Sequence, residues 1–335
     1  MDSLARYTAA MNVLRRLSRS LLRILTAVAA ILIGAWALLA QPSCRRNPPS
    51  AIQIAPDRLR AHVEKLAGDF RPRDFHHPDQ LARCADYMAE HFRQAGATVR
   101  FQPFTFAGLP FRNVIARFGN PDGSRVIVGA HYDACGDTPG ADDNASGSAA
   151  LIELAYLLGR NPPARPVELV AYCLEEPPTY QTDSMGSVVH AQSISNEAAN
   201  VLGVIVLEMV GTFSDEWGSQ SYPAPMLHLI YPNRGNFIGV VGRWDHGDWI
   251  KTIKIGMKGR TTLPVYSIRA PTLVPGIEMS DHQSYWPLDI PALMITDTAF
   301  LRNQDYHTLR DTPDRLDYPA MGRVVVSLYE ALCDF

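Results

Sequence analysis

The sequence predicts an α/β fold, a single domain with a central mixed, largely parallel sheet flanked by helices, preceded by an N-terminal transmembrane helix. Three observations carry this prediction. Short apolar runs of the buried-strand type recur, as in "RVIVGA" (125–130), "PVELVAYCL" (166–174) and "VLGVIVLEMV" (201–210). Stretches of helical periodicity alternate with them, the pattern of βαβ units. Polar clusters follow the runs directly, and open α/β sheets bind ligands beyond the carboxyl ends of their strands.

The N-terminal segment stands apart. Arg6, Arg15, Arg16, Arg19 and Arg23 precede "ILTAVAAILIGAWALLA" (24–40), a run of 17 residues without charge. Such a run is long enough to span a bilayer, and its basic flank stays cytoplasmic. Residues 1–43 therefore read as a cytoplasmic basic arm and transmembrane signal anchor. A cleaved signal peptide is the alternative, although Leu38 stands where a small residue is preferred before the cut. A lipid anchor at Cys44 is a third reading, on a poor site. Each of these places the following domain outside the cytoplasm, in the periplasm or extracellular space.

Residues 44–54 are polar and rich in Pro, and read as a linker. Residues 55–335 form the domain. "DRLRAHVEKLA" is a helix expected to start behind an Asp57 cap, and "DQLARCADYMAEHFRQAG" an amphipathic helix ending at Gly96. "TVRFQPFTF" and "RNVIARF" read as strands, "ASGSAALIELAYLL" and "GSVVHAQSI" as helices. "PALMITD" is a later buried strand and "PAMGRVVVSLYEAL" a C-terminal helix. Residues 213–263 lack this regularity and read as an excursion over the domain.

Composition is that of a globular protein, with 47% hydrophobic and 19% charged residues and net charge −3. No basic run exists to bind nucleic acid. The five cysteines, an odd number, show no CxxC zinc signature. A Cys135–Cys173 disulfide and buried free thiols both fit.

The stretch 129–147, "GAHYDACGDTPGADDNASG", gathers four Asp and one His into 19 residues. Either it is a solvated loop or a cation sits among the carboxylates. Further acidic or imidazole groups follow other strands: Glu175 and Glu176, then Glu208, then His307. Nitrogen and carboxylate donors without thiolate suit a catalytic zinc site. Two close metal ions need a bridging carboxylate, and an adjacent Glu pair supplies one ligand and one proton carrier.

These residues resemble the zinc-dependent aminopeptidase family of co-catalytic metallopeptidases, peptidase family M28. The matching pieces are "HYD", "GADDNASGSAAL", "EE", "MGSVVHA", "LEMVG", "SDHQSYW" and "YHTLRDTPD", in family order. The resemblance implies two Zn2+ ions held by His131, Asp143, Glu176, Glu208 and His307, with Asp143 as the bridge. It implies Glu175 as general base, Asp133 as the carboxylate that orients His131, and Tyr306 as an oxyanion donor. Asp281 and His282 match a family motif near the cleft, and Tyr180, in the insert after Glu176, either borders the substrate pocket or covers it. The family also suggests a cis peptide between Asp143 and Asn144. Asp142 and Asp137 read as loop residues whose charge the metals offset. Glu208 departs from the family, which more often has Asp there.

The implied protein is a membrane-anchored zinc aminopeptidase acting on peptides outside the cytoplasm. Two alternatives stand beside it. One is a glutaminyl cyclase-like enzyme with one zinc, although such enzymes carry Trp where this chain has Tyr306. The other is a receptor-like ectodomain that binds without catalysis.

Overall fold

The computed structural model describes residues 2–120 and 123–335. It divides into two units, residues 1–42 and residues 43–335. The first is one helix, α1 (Asp2–Ala40), of which Leu14–Ala40 is long and apolar enough to cross a membrane.

In the second unit α2 (Pro56–Glu64) and α3 (Pro78–Gln94) precede the hairpin β1 (Thr98–Phe106) and β2 (Leu109–Phe118). Pro56 opens α2, so Asp57 sits in the first turn rather than at the cap. Then come β3 (Arg125–His131), α4 (Gly147–Arg160), β4 (Val167–Tyr172), α5 (Gly186–Ser193) and β5 (Val201–Glu208). The chain continues through β6 (Ile238–Arg243), α6 (Gly247–Met257), β7 (Val265–Ala270), β8 (Ala292–Thr296) and α7 (Tyr318–Cys333). The eight strands form one sheet in the order β1-β2-β4-β3-β5-β8-β6-β7.

The middle of that sheet is parallel. β4, β3, β5 and β8 pair side by side in one direction. β3, β4, β5 and β8 are buried along nearly their whole length, which is why they read as continuous apolar runs. The mixed, largely parallel sheet expected from the sequence is thus present. Because these strands run together, their carboxyl ends share one edge, and that edge carries the acidic groups.

Two expectations are corrected. Residues 213–263 are not all an excursion: 238–243 is β6, paired antiparallel to β8, and 247–257 is α6, whose apolar face packs on the core. Gly239 and Gly242 interrupt the apolar run and hide the strand. Residues 44–54 are not a free linker. Asn47 donates its backbone N–H to Lys258 (2.9 Å) and its side-chain amide to the carbonyls of Ile255 (2.7 Å) and Gly256 (2.9 Å). Ser50 donates to the Arg260 carbonyl (2.8 Å) and its hydroxyl bonds Glu330, so this segment is strapped to α6 and α7.

Candidate metal centre

Each acidic loop is built from the strand that precedes it. His131 is the last residue of β3 and is fully buried. The chain then turns through Gly140, whose φ of +55° places it in the left-handed region; a side chain there would meet the Asp143 carbonyl at 2.3 Å. The Asp143–Asn144 peptide is cis, as the resemblance suggested. At Gly147 a Cβ would lie 2.6 Å from the Leu207 carbonyl, so only glycine lets α4 start this close to β5. Asn144 knits the two together: its amide donates to Leu207 O at 2.9 Å, and its oxygen accepts from the N–H groups of Gly147 (3.0 Å) and Met209 (3.1 Å).

The five residues expected to hold metal converge. Asp143 stands in the middle, with Oδ1 3.4 Å from His131 Nε2 and Oδ2 3.0 Å from His307 Nε2. Glu208 Oε2 lies 3.4 Å from His131 Nε2, and Glu176 Oε2 3.2 Å from His307 Nε2. Two groups result, one of His131, Asp143 and Glu208 and one of Glu176 and His307, with Asp143 facing both. Leu174, Met209 and His307 all have positive φ (64°, 45° and 55°), backbone held in an uncommon region beside or at these groups.

Asp133 lies 3.5 Å from His131 Nδ1 and accepts the backbone N–H groups of Glu175 (3.1 Å) and Glu176 (3.0 Å). It therefore ties the β3 loop to the β4 loop. Glu175 Oε2 is 4.0 Å from His131 Nε2, and burial pushes its carboxyl well above the usual range. Ser280 donates its hydroxyl to Glu208 Oε2 at 2.7 Å. Tyr306 stacks on His307, with ring centroids 3.8 Å apart.

The donor set fits a divalent cation. Both ring nitrogens of His131, His307 Nε2 and Glu176 Oε1 are buried without a hydrogen-bond partner among the described residues. Buried polar atoms are normally paired. Burial pushes the Asp143 carboxyl up, but the His131 and His307 rings beside it win and hold it below the usual range. Burial disfavours a proton on His307, yet Asp143, Cys135 and Glu176 outweigh it and raise the ring to about 12. The surrounding carboxylates raise the proton affinity of the imidazoles, which is one way to balance their charge. A cation would take over that balance and free the rings to ligate.

The sequence missed other parts of the site. Arg73, fully buried, donates to the carbonyls of Tyr132 (3.0 Å), Leu66 (2.7 Å), Pro139 (2.8 Å) and Gly140 (2.9 Å), clamping both flanks of the acidic loop. Asp142 is not a loop residue offset by metal. It is buried and accepts from Gly211 N (2.9 Å), Thr212 Oγ1 (2.5 Å) and Asn303 Nδ2 (2.9 Å). Asp137 is a loop residue, exposed and paired with Arg71. All five cysteines are free, so Cys135 and Cys173 are not bridged.

The residues expected to touch substrate differ in exposure. His282 is fully buried, bonds the Ile277 carbonyl at 2.8 Å and packs edge-on to Trp286, which makes it a loop-fixing residue. Asp281 is fully buried too, and burial pushes its carboxyl up to about 7. Tyr180 is half-buried and donates to the Glu278 carbonyl at 3.1 Å. What opens beside the centre is an apolar cavity, with Glu208 and Tyr306 in its wall alongside Tyr231, Phe237, Tyr266 and Met294.

With this geometry in hand, comparison with known proteins places the chain. The family model for peptidase family M28 matches residues 113–331. The chain belongs to peptidase family M28. The M28 chain is 44% identical over 293 residues to the uncharacterised protein YfbL of Escherichia coli, covering 85% of this chain and 90% of that one. The LapA aminopeptidase of Legionella pneumophila shares its fold at TM-score 0.64 and 21% identity, covering 84% of this chain and 71% of that one. A glutaminyl cyclase of Bacteroides thetaiotaomicron shares it at TM-score 0.63 and 20% identity, covering 86% and 100%. The M28 chain is a metal-dependent hydrolase by family, and the fold alone does not separate peptidase from cyclase.

Proposed function

We propose that this M28 protein is a membrane-anchored aminopeptidase with its domain outside the cytoplasm and two zinc ions at the centre described. One observation carries the dinuclear reading: the two oxygens of Asp143 face different histidines, His131 at 3.4 Å and His307 at 3.0 Å. His131, Asp143 and Glu208 would hold one ion, and Asp143, Glu176 and His307 the other. When bound, the ions supply Lewis-acid polarisation of the scissile carbonyl and neutralise developing charge.

The chain's own residues do the rest. Glu175, unligated and beside His131, takes a proton from the attacking water and delivers it to the leaving amine. Burial raises its affinity for the proton it accepts from that water. Asp133 holds His131 and the Glu175–Glu176 backbone in register. The Tyr306 hydroxyl donates to the oxyanion. The apolar cavity takes the first side chain of the peptide. Its aromatic and aliphatic wall suits a large apolar residue, and the wall's opening onto Glu208 puts that residue next to the carboxylates that receive a free N-terminal amine. The apolar span Leu14–Ala40, whose arginines all precede its uncharged run 24–40, supports anchoring with the domain exported.

A peptide-library digest read by mass spectrometry, with and without a chelator, tests this. Release of single large apolar N-terminal residues, abolished by chelation, is the expected result. Cyclisation of N-terminal Gln with loss of ammonia would install the cyclase reading. No product with zinc-loaded protein would favour a binding role.

A further inference from the structure

The β3 loop carries a second donor four residues after His131. Cys135 is a half-buried free thiol. Its sulfur, a Glu176 carboxylate oxygen and a His307 ring nitrogen lie within 4.8 Å of one another. Thr138 fixes the turn that presents it, donating both its N–H (3.2 Å) and its hydroxyl (2.8 Å) to the Cys135 carbonyl. An independent observation points to a ligand here. Glu176 is only 5% exposed, and its Oε1 has no hydrogen-bond partner among the described residues.

We infer that Cys135 is a sulfur ligand of the second metal ion, joining Glu176, His307 and Asp143. The inference rests on the dinuclear reading above. The thiol proton leaves to solvent as the metal–sulfur bond forms, so no redox step is involved. One loop then serves both subsites, His131 facing one and Cys135 the other. The subsites also differ in chemistry. His131, Asp143 and Glu208 offer only nitrogen and oxygen, whereas the second adds a soft donor that selects zinc over magnesium or manganese.

The test uses the full-length protein in detergent with Cys44→Ser, which removes the exposed thiol. The apoprotein is titrated with Co(II) while stoichiometry and the near-ultraviolet spectrum are followed. Two cobalt ions and a sulfur-to-cobalt charge-transfer band are expected, with the band absent after further Cys135→Ser or Cys135→Ala substitution. X-ray absorption of the zinc form should show one sulfur per two zinc ions at about 2.3 Å. That measurement needs no variant at position 135 and stands if those variants fail to fold. Two ions with no sulfur signal overturn the inference and leave the dinuclear reading in place. One ion with a sulfur signal supports Cys135 and overturns the dinuclear reading. One ion without sulfur overturns both.

Discussion

The carboxylate of Asp311 accepts the backbone N–H of Asp143 at 3.1 Å, across 168 residues of sequence. The same carboxylate accepts from Asp142 N at 3.0 Å. The bridging candidate is thus held from behind by a second acid, near the C-terminal end of the domain. Asp311→Asn keeps the size but offers one carbonyl oxygen and a clashing donor. Zinc affinity should fall by about 10- to 100-fold, the usual cost of losing such support. Competition with a chromogenic chelator measures it; unchanged affinity would mean that the loop holds Asp143 unaided.

Glu175→Gln separates proton transfer from metal binding. Turnover should fall by roughly 10²- to 10⁴-fold with metal content unchanged. Steady-state rates read alongside elemental analysis check both halves. Loss of metal instead would make Glu175 a ligand.

Arg73→Met should destabilise the domain whether or not metal is present. It takes a donor from four buried carbonyls, of which Gly140 O keeps the Ala145 N–H, and removes a buried cation from among Asp133, Asp143 and Asp311. The expected loss is at least about 3 kcal/mol, a drop in Tm on the order of 10 °C for a domain of this size. Calorimetry in chelator reads it.

Gly239 in β6 forms part of the cavity wall, and a Cβ there meets the Thr296 carbonyl at 3.2 Å, with Val241 Cγ2 at 3.6 Å and Thr296 Cγ2 at 3.9 Å. Gly239→Val should therefore fold and shorten the pocket. Cleavage after large apolar first residues should lose about 10- to 100-fold in kcat/KM, while Ala-initiated peptides lose little. An equal loss for both would place the specificity pocket elsewhere.

Glu168 sets an acid limit on stability. It is fully buried in β4, 2.5 Å from Arg117 Nε and 3.3 Å from His190 Nε2. Burial pushes its carboxyl up, but His190, Arg125 and Arg117 prevail and lower it from 4.5 to about 2. A depressed carboxyl stabilises above its unfolded value and loses that contribution as pH falls through the folded one. The advantage over Glu168→Gln, on the order of 3 kcal/mol at neutral pH, should shrink between pH 4.5 and about 2. Urea melts at several pH values test this.

The parallel strands and the acids that follow them were legible because strands buried on both faces leave unbroken apolar runs, and the groups at their ends are local to those runs. β6, α6 and β7 were not, since Gly239 and Gly242 dilute the run and "RWDHGDWIK" puts charge at a helix start. Arg73 has no local signature: its four acceptors lie between 7 residues and 67 residues away. Asp142 looked like its neighbour Asp143 because nothing in the dipeptide tells which carboxylate turns inward. That is decided by Gly211, Thr212 and Asn303, which reach it from far along the chain.

The place of β8, between β5 and β6, has a consequence for synthesis. β5 and β6 leave the ribosome long before β8, yet neither can find its final neighbour until residue 296 is out. His307 follows later still. A chain made amino end first therefore holds only part of the candidate ligand set until almost all of it has emerged, and the centre is completed after the last strand rather than assembled piecemeal. Proteins cut short before residue 307 would lack the imidazole that faces Asp143 and Glu176.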